Sequence, residues 1–278
     1  MSSLVDEVRA QLIEAIKNNR IVLPTLPEVA LRIRDAAEDP RSDIASFARE
    51  LGFDAALSAR VIRVANSPLM RASSPVTDVK GAAARLGIQY SCNLAVGLAM
   101  EQMFQATSDA VDERMRQIWT HSTEVAGISA VLARTYTRLK PDQAMLAGLV
   151  HRIGALPILR FAEEDPKLLK DLDVLDNLIE ALHGEIGKLI LDTWAFTPEI
   201  ATVPLSYLDF ARKPTAVDIT DIVMVANLQS YMGSSHPLAA LDWTTVSAFG
   251  RIGLDPNVSS MEAEDLSEAM AASIAALQ

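Results

Sequence analysis

The sequence predicts an all-α fold, and three observations support this prediction. Half of the 278 residues are hydrophobic, chiefly Ala, Leu, Ile and Val, whereas aromatic residues make up only 5%. This composition favours helices that pack through small and aliphatic side chains over a sheet rich in β-branched and aromatic residues. Apolar residues recur at spacings of three and four in many segments, and no series of alternating strands is visible.

The first part of the chain contains short amphipathic segments that start after an acidic or hydroxyl residue. Residues 44–51, for example, follow Ser42 or Asp43 as the N-cap and end at Gly52, which stops the helix. Residues 89–105, the last segment of this part, are apolar on all sides, which predicts a mostly buried helix. The predicted helices are residues 1–19, 44–51, 55–65, 79–86 and 89–105.

The second part of the chain begins with a long amphipathic segment. Pro141 suits the first turn of the helix that follows, and the run Thr197-Pro198-Glu199 marks another helix start. The predicted helices here are residues 109–138, 141–150 and 182–194, a helix from Pro198, and residues 218–232 and 262–277.

Charge and cysteine content exclude several classes of protein. The net charge is −11 at pH 7 and the isoelectric point is about 4.9, so the surface repels polyanions, and we expect neither nucleic-acid nor membrane binding. The single cysteine, Cys92, rules out an intrachain disulfide framework and is interpreted as a small buried residue. No signal peptide and no apolar run long enough to span a bilayer is visible, so we expect a soluble cytoplasmic protein.

Several separated motifs resemble those of HDOD domains. The resemblance begins at residues 23–29, with the sequence LPTLPEV, and is strongest at residues 54–67, with the sequence DAALSARVIRVANS. The other matching motifs follow in the same order as in that family. They are residues 39–40, 43–44, 75–76, 84–87, 119–122, 147–151 and 183–187, followed by Trp194.

This resemblance implies a multi-helix bundle of the HD and HDOD type. HDOD domains are related to HD metal-dependent phosphohydrolases and resemble a branch of that superfamily in which the metal centre is degraded. They commonly occur in bacterial signalling chains. We therefore expect an N-terminal helix over residues 1–22, an HDOD domain over 23–215, and C-terminal helices over 216–278 that pack on the same bundle.

The resemblance also implies where a metal centre would lie. The HD pattern combines a first histidine, an adjacent His-Asp pair and a distal aspartate, which supply the imidazole and carboxylate ligands of a two-metal centre. His121 and His151 occupy the histidine positions, but Arg152 replaces the paired aspartate. Asn227 is the best candidate for the distal position, and His183 stands where relatives with extra histidines carry one.

Arg152 argues against catalysis on electrostatic grounds. Two unit charges 4 Å apart at an effective dielectric of 20 interact by ~4 kcal/mol, so an inward-facing guanidinium would oppose a dication by about twice that. Alternatively, Arg152 turns to solvent or pairs with an acid such as Glu163 or Glu185. The later histidine pair of relatives with extra histidines is also missing around residues 203–207.

Three interpretations of His121, His151 and His183 stay open. The favoured one is a set of inherited core histidines, hydrogen-bonded to one another, to Asn227 or to the backbone. The second is a weak divalent-metal site built from the three imidazoles alone. The third is a working catalytic centre. The fourth histidine, His236, lies in a polar loop and is expected to be a surface residue.

A second set of polar residues occurs in the strongest HDOD motif. Asp54, Arg60, Arg63 and Asn66 share one predicted helix and its ends. The favoured interpretation is a salt-bridge and capping network that stabilises this helix. The alternative is an interaction surface.

These observations predict a signal-transduction or regulatory domain that acts by binding a protein or a ligand, with no catalytic residue and no cofactor. The alternative is a divergent metal-dependent phosphohydrolase acting on a phosphate ester or nucleotide. The expected partners are a signalling protein, an anionic small ligand held by Arg152, or a second copy of the chain in a homodimer.

Overall fold

The computed structural model describes residues 8–14, 18, 23–70, 74–106, 108–164, 168–256 and 260–278. None of these residues forms a β-strand, which confirms the all-α prediction. The helices are α1 (8–14), α2 (Glu28–Glu38), α3 (Ile44–Leu51), α4 (Ala55–Ala65), α5 (Val79–Leu86), α6 (Ile88–Ala99), α7 (Asp109–Tyr136), α8 (Pro141–Val150), α9 (Ala155–Glu164), α10 (Leu172–Thr193), α11 (Pro198–Ala201), α12 (Val203–Ser206), α13 (Ile219–Ser230), α14 (Ser247–Ile252) and α15 (Ser260–Leu277).

Side-chain caps explain where the correctly predicted helices begin. The carboxylate of Asp43 accepts a hydrogen bond from the backbone N–H of Ser46 at 2.7 Å, within a capping box that opens α3. Asp54 caps α4 in the same way, and Ser108 caps α7. The long helix α7 ends at Tyr136, two residues before its predicted end.

Other helix boundaries differ from the prediction. Helix α10 begins at Leu172 and not near residue 182, because the Asp171 carboxylate caps it by accepting from the Val174 N–H at 3.2 Å. Helix α6 ends at Ala99 and continues only as a 3-10 turn, Met100–Met103. The prediction omits α2, α9 and α14.

Helix α7 lies at the centre of the bundle and packs against α8, α13 and α15. Two glycines allow the close approach of neighbouring backbones. A Cβ atom on Gly148 would lie 2.6 Å from the Cα of Ala126 on α7, and one on Gly154 would lie 2.0 Å from the carbonyl oxygen of His183 on α10. The turn at residues 151–154 is therefore pressed against α10.

One apolar stretch departs from the expectation that no segment could span a bilayer. Pro141–Glu164 has 24 residues, and its most apolar 18-residue window has a mean hydropathy of 1.3, which suffices by length and composition alone. It consists of α8, the turn at 151–154 and α9, and 83% of its most apolar window is buried in the fold. Packing in the core accounts for its composition.

The remaining predictions on organisation concern the ends of the chain and Cys92. Of the leading helix, residues 8–14 are helical, and most of residues 15–22 and all of 1–7 lie outside the described residues. Helices α13 and α15 pack on α7, while the boundary at residues 215 and 216 stays a prediction. Cys92 is buried, and burial raises the pKa of its thiol to about 12.

Candidate functional site

Four of the site residues predicted from the sequence meet where α7, α8, α10 and α13 converge. His121 lies on α7, His151 directly follows α8, His183 lies on α10 and Asn227 lies on α13. His151, His183 and Asn227 are buried, and His121 is partly buried. The centres of the His121 and His151 rings are 5.5 Å apart.

His121 contacts two residues at the C-terminal end of α13, one in its last turn and one directly after it. Its Nε2 atom lies 2.9 Å from the amide oxygen of Asn227 and 3.3 Å from the hydroxyl of Tyr231. The Tyr231 ring also stacks on the imidazole, with ring centres 4.9 Å apart. Burial lowers the pKa of His121 to about 4, against a smaller opposing effect of the Asn227 hydrogen bond, so the imidazole is neutral near pH 7.

Both ring nitrogens of His183 are occupied by partners within the chain. Nδ1 lies 2.8 Å from the carbonyl oxygen of Ile179 and donates its proton to it. Nε2 is therefore the acceptor, and it lies 2.9 Å from the hydroxyl of Tyr207, which donates. Burial raises the pKa of Tyr207, so this hydroxyl stays protonated. Tyr207 lies in residues 203–207, the segment where relatives with extra histidines carry the histidine pair that this sequence lacks.

His151 is the most enclosed of the three histidines. Its Nδ1 donates to the carbonyl oxygen of Gly148 at 2.6 Å, so Nε2 carries the lone pair. Nε2 is buried and has no hydrogen-bond partner among the described residues. Burial and the neighbouring His121 lower the pKa of His151 well below its ordinary value, which keeps the ring neutral.

Arg152 points into the fold, and only 11% of its side chain is exposed. It forms an ion pair with Glu180 on α10. Arg152 therefore does not turn to solvent. It pairs with an acid, but this acid is Glu180 and not Glu163 or Glu185. Because α10 starts ten residues before its predicted beginning, Glu180 lies on the same helix as His183 and reaches the turn that carries Arg152.

A pocket of about 660 Å³, here called the histidine pocket, is lined by His121, Asn227, Arg152 and Glu180. His151 and His183 are buried and do not line it. Most of its wall is apolar or aromatic, including Ile118, Leu208 and Phe210. A second ion pair joins the Nε of Arg114 to the Oδ1 of Asp176 at 2.9 Å. The pocket can therefore enclose an uncharged or apolar group, while its two carboxylates are each neutralised by an arginine.

His236, which the sequence assigns to the surface, is exposed and also lines the mouth of the histidine pocket. Its ring stacks on Tyr231 with centres 3.7 Å apart and planes 8° from parallel. Tyr207, Tyr231 and Glu180 also belong to the site, although no sequence motif singles them out. Two of them had a visible clue: Tyr207 falls in the segment searched for a histidine pair, and Tyr231 follows Asn227 by one helical turn.

The sequence profile of the HDOD domain matches residues 23–206. The chain belongs to the HDOD family. The match covers well over half of the sequence, and it includes His121, His151, Arg152 and His183 but ends before Asn227. No curated protein sequence matches this HDOD chain.

Solved structures share the fold along nearly the whole chain. A protein of Shewanella amazonensis SB2B, provisionally named a metal-dependent phosphohydrolase, is 30% identical and covers 100% of both chains with a TM-score of 0.89. An HDOD domain protein of unknown function from Geobacter sulfurreducens is 24% identical over 98% of this chain and 97% of its own, with a TM-score of 0.69. A protein of Marinobacter aquaeolei VT8, provisionally named a signal transduction protein, is 22% identical over 97% of this chain and 64% of its own, with a TM-score of 0.66. At these lower identities the last two establish the fold alone.

The residues of this HDOD site do not fit a two-metal centre. Among the described residues, no group of three or more His, Cys, Asp or Glu side chains could hold a metal ion. His183 has no free nitrogen, Asn227 offers no charge, and a guanidinium replaces the paired carboxylate. Because Nε2 of His121 donates to the amide oxygen of Asn227, the unused lone pairs are those of Nε2 of His151 and Nδ1 of His121. Two imidazoles without a carboxylate are a weak ligand set for two ions.

The second set of predicted polar residues lies on and around α4. Asp54 caps this helix by accepting from the Leu57 N–H at 2.9 Å, and Arg60 pairs with Glu101. Asn66 bonds both the N–H and the carbonyl of Val76 at 2.8 Å. Arg63 is exposed. Three of the four side chains are thus used within the fold, which favours the structural interpretation of this set.

Proposed function

We propose that this HDOD chain is a bacterial, cytoplasmic signal-transduction domain that acts by binding a protein partner or a ligand and does not catalyse hydrolysis. The observation that carries this proposal is the ion pair between Arg152 and Glu180 at the position where the HD pattern needs a metal-binding aspartate. A guanidinium stands where the pattern has a carboxylate, and its pairing with Glu180 leaves that carboxylate neutralised.

The electrostatic reason is that a metallohydrolase needs anionic ligands to offset the charge of its ions. Here the nearest carboxylate, Glu180, is already neutralised by Arg152, and Asp176 is neutralised by Arg114. A dication entering the pocket would have to compete with two arginines for these carboxylates. This competition favours recognition over metal-assisted chemistry.

The pocket lining favours a partner with an apolar or uncharged group over an anionic ligand. The apolar walls and the aromatic stack of Tyr231 and His236 can enclose such a group, whereas both arginines already have acidic partners. An anionic ligand held by Arg152 would have to displace Glu180. A thermal-shift screen with nucleotides tests this point: a shift in the wild type that disappears in Arg152→Ala would restore the anionic-ligand hypothesis.

A metal-dependent phosphohydrolase is the second candidate, because the protein of Shewanella amazonensis that is 30% identical carries that provisional name. The two candidates differ in turnover. We expect no hydrolysis of phosphate esters or cyclic nucleotides by the wild-type protein with Mn²⁺, Mg²⁺ or Zn²⁺. Metal-dependent turnover that is lost in His151→Ala would establish the second candidate.

A pattern-restoring variant makes this assay more informative. Arg152→Asp combined with Asn227→Asp returns both aspartates of the HD pattern. If the missing negative charge is the reason for inactivity, this double variant binds divalent metal that the wild type does not. The matched control is Arg152→Asn with the wild-type Asn227, which removes the arginine without supplying a carboxylate.

A further inference from the structure

A second pocket lies on another face of the α7 and α13 pair and shares no lining residue with the histidine pocket. It has a volume of about 720 Å³, which is in the range of small-molecule sites. Its walls come from α7, the end of α13, α14 and α15, together with the chain between α13 and α14. Neither the HDOD motifs nor the proposed function accounts for it.

The apolar part of this second pocket is aromatic and rigid. Trp243 stacks on Phe249, with ring centres 5.8 Å apart and planes 18° from parallel. The indole N–H of Trp243 donates to the carbonyl oxygen of Leu238 at 3.0 Å, which fixes the ring. Met232, which is 65% exposed, lies at the rim. Such a wall offers both apolar area and a π-face.

The polar part of the second pocket is rich in acceptors. Its described lining includes the carboxylates of Glu124 and Asp255 and the amide of Gln229, but no Lys, Arg or His. The side-chain oxygen of Gln229 is buried without a hydrogen-bond partner. That oxygen is enclosed and does not face the open space of the pocket. The described lining thus offers a ligand negative charge and no cation.

Glu124 is the informative member of this set. It is partly buried on α7, three residues after His121, and burial raises the pKa of its carboxyl. No ion pair or side-chain hydrogen bond joins it to another described residue, in contrast to Glu180 and Asp176 in the histidine pocket. A carboxylate that loses water without gaining a partner costs folding free energy, and such groups are concentrated at binding sites.

We propose that the second pocket binds a small organic cation, an amine or guanidine attached to an apolar group. The Glu124 carboxylate would accept hydrogen bonds from the cationic head, and the apolar part would pack on Trp243 and Phe249. The net charge of −11 attracts cations to the protein in general. This proposal does not depend on whether the histidine pocket is catalytic.

The test compares two probes of the same shape by isothermal titration calorimetry. Phenethylamine is cationic near pH 7, and 2-phenylethanol is its uncharged counterpart. We expect saturable binding of the amine to the full chain and about tenfold or more weaker binding of the alcohol. In Glu124→Gln the affinity for the amine should fall by about the same factor. The control Glu113→Gln changes an exposed glutamate on the same helix and should leave affinity unchanged.

Nuclear magnetic resonance locates the bound amine. The side-chain N–H signals of Gln229 and Trp243, which both line the second pocket, should shift on addition of the amine. Absence of saturable amine binding to the wild type, equal affinity in Glu124→Gln, or equal affinity for the alcohol would each overturn the proposal.

Discussion

The histidine pocket and the second pocket border the same two helices, α7 and α13, but they differ in whether their acidic side chains form ion pairs. In the histidine pocket Glu180 pairs with Arg152 and Asp176 pairs with Arg114. In the second pocket the Glu124 carboxylate has no cation among the described lining residues. Under the two proposals, the paired charges disfavour metal binding in the histidine pocket, and the unpaired carboxylate of Glu124 favours a cationic ligand in the second pocket.

Helix α13 shows the same contrast along its own length. Near its start, the fully buried carboxylate of Asp221 accepts from both Arg251 and Arg212. Near its end, the Gln229 side-chain oxygen is buried without a partner. The fold is therefore able to neutralise a buried acid where stability requires it, and the lack of a partner at the second pocket stands out against this background.

Acid gives the largest expected effect and acts on the two pockets in opposite directions. The histidines have lowered pKa values in the folded state, about 4 for His121 against an ordinary value of 6.5. The contribution of His121 is complete above pH 6.5 and is lost as the pH falls toward 4, by about 1.4 kcal/mol per pH unit in the free energy of unfolding. His151 and His183 act in the same direction, because their pKa values are also lowered. Urea unfolding at pH 7 and pH 5 should therefore show a loss of several kcal/mol.

Two comparisons sharpen the acid experiment. The variant His121→Gln should show a smaller loss between pH 7 and pH 5 than the wild type, since one titrating group is gone. Equal unfolding free energies of the wild-type protein at the two pH values would show that the histidines are not held neutral by burial.

Gly154→Ala should destabilise the histidine pocket strongly and leave the second pocket in place. The new Cβ would lie 2.0 Å from the carbonyl oxygen of His183, and backbone atoms cannot move aside cheaply. We expect a loss of about 3 kcal/mol or more in the free energy of unfolding. Gly250→Ala on α14, where a Cβ would meet nothing within 4 Å, is the control and should change stability by less than ~1 kcal/mol. Equal effects of the two variants would contradict the close packing of the turn on α10.

Arg152→Ala should cost less, about 2 kcal/mol, because it leaves the Glu180 carboxylate without its partner in a partly enclosed site. The exposed pair of Arg41 and Asp39 supplies the control, since the Arg41 side chain is 90% exposed. Arg41→Ala should leave the free energy of unfolding nearly unchanged, because solvent screens an exposed pair. If denaturant unfolding gives the same small change for both variants, the Arg152 pair does not hold the pocket together.

Glu124→Gln is expected to have the smallest effect and the opposite sign. Because burial raises the pKa of Glu124 in the folded state, its ionised form destabilises the fold at neutral pH. Replacing it with neutral glutamine should raise the melting temperature slightly at pH 7. The wild type should regain this difference as the pH falls through the range where Glu124 takes up its proton. A lower melting temperature for Glu124→Gln at pH 7 would indicate an undetected stabilising partner.

The sequence predicts the fold well where a helix is bounded by a strong cap. Ser108 starts α7 at the expected residue, and Asp43 and Asp54 do so for α3 and α4. The predicted start of α10 is wrong by ten residues, because the helix begins at the Asp171 cap and its apolar spacing is helical from Leu172 onward. Short elements such as α14 have too few residues to display a period, and they build the wall of the second pocket.

The candidate site could be predicted in part. The family resemblance names His121, His151, His183 and Asn227, and the structure brings them together. The family resemblance could not identify the partner of Arg152, because that partner depends on how α10 is rotated about its axis. The role of Tyr207 as the hydrogen-bond donor to His183 likewise depends on tertiary packing between residues 24 positions apart.

Metal content tests the central claim most directly. The wild-type protein and His151→Ala are incubated with excess Mn²⁺ or Zn²⁺, dialysed and measured by elemental analysis. Because paired charges and internal hydrogen bonds occupy the histidine pocket, the account predicts far less than one ion per chain in both proteins. One or two tightly held ions per wild-type chain that are lost in His151→Ala would contradict it.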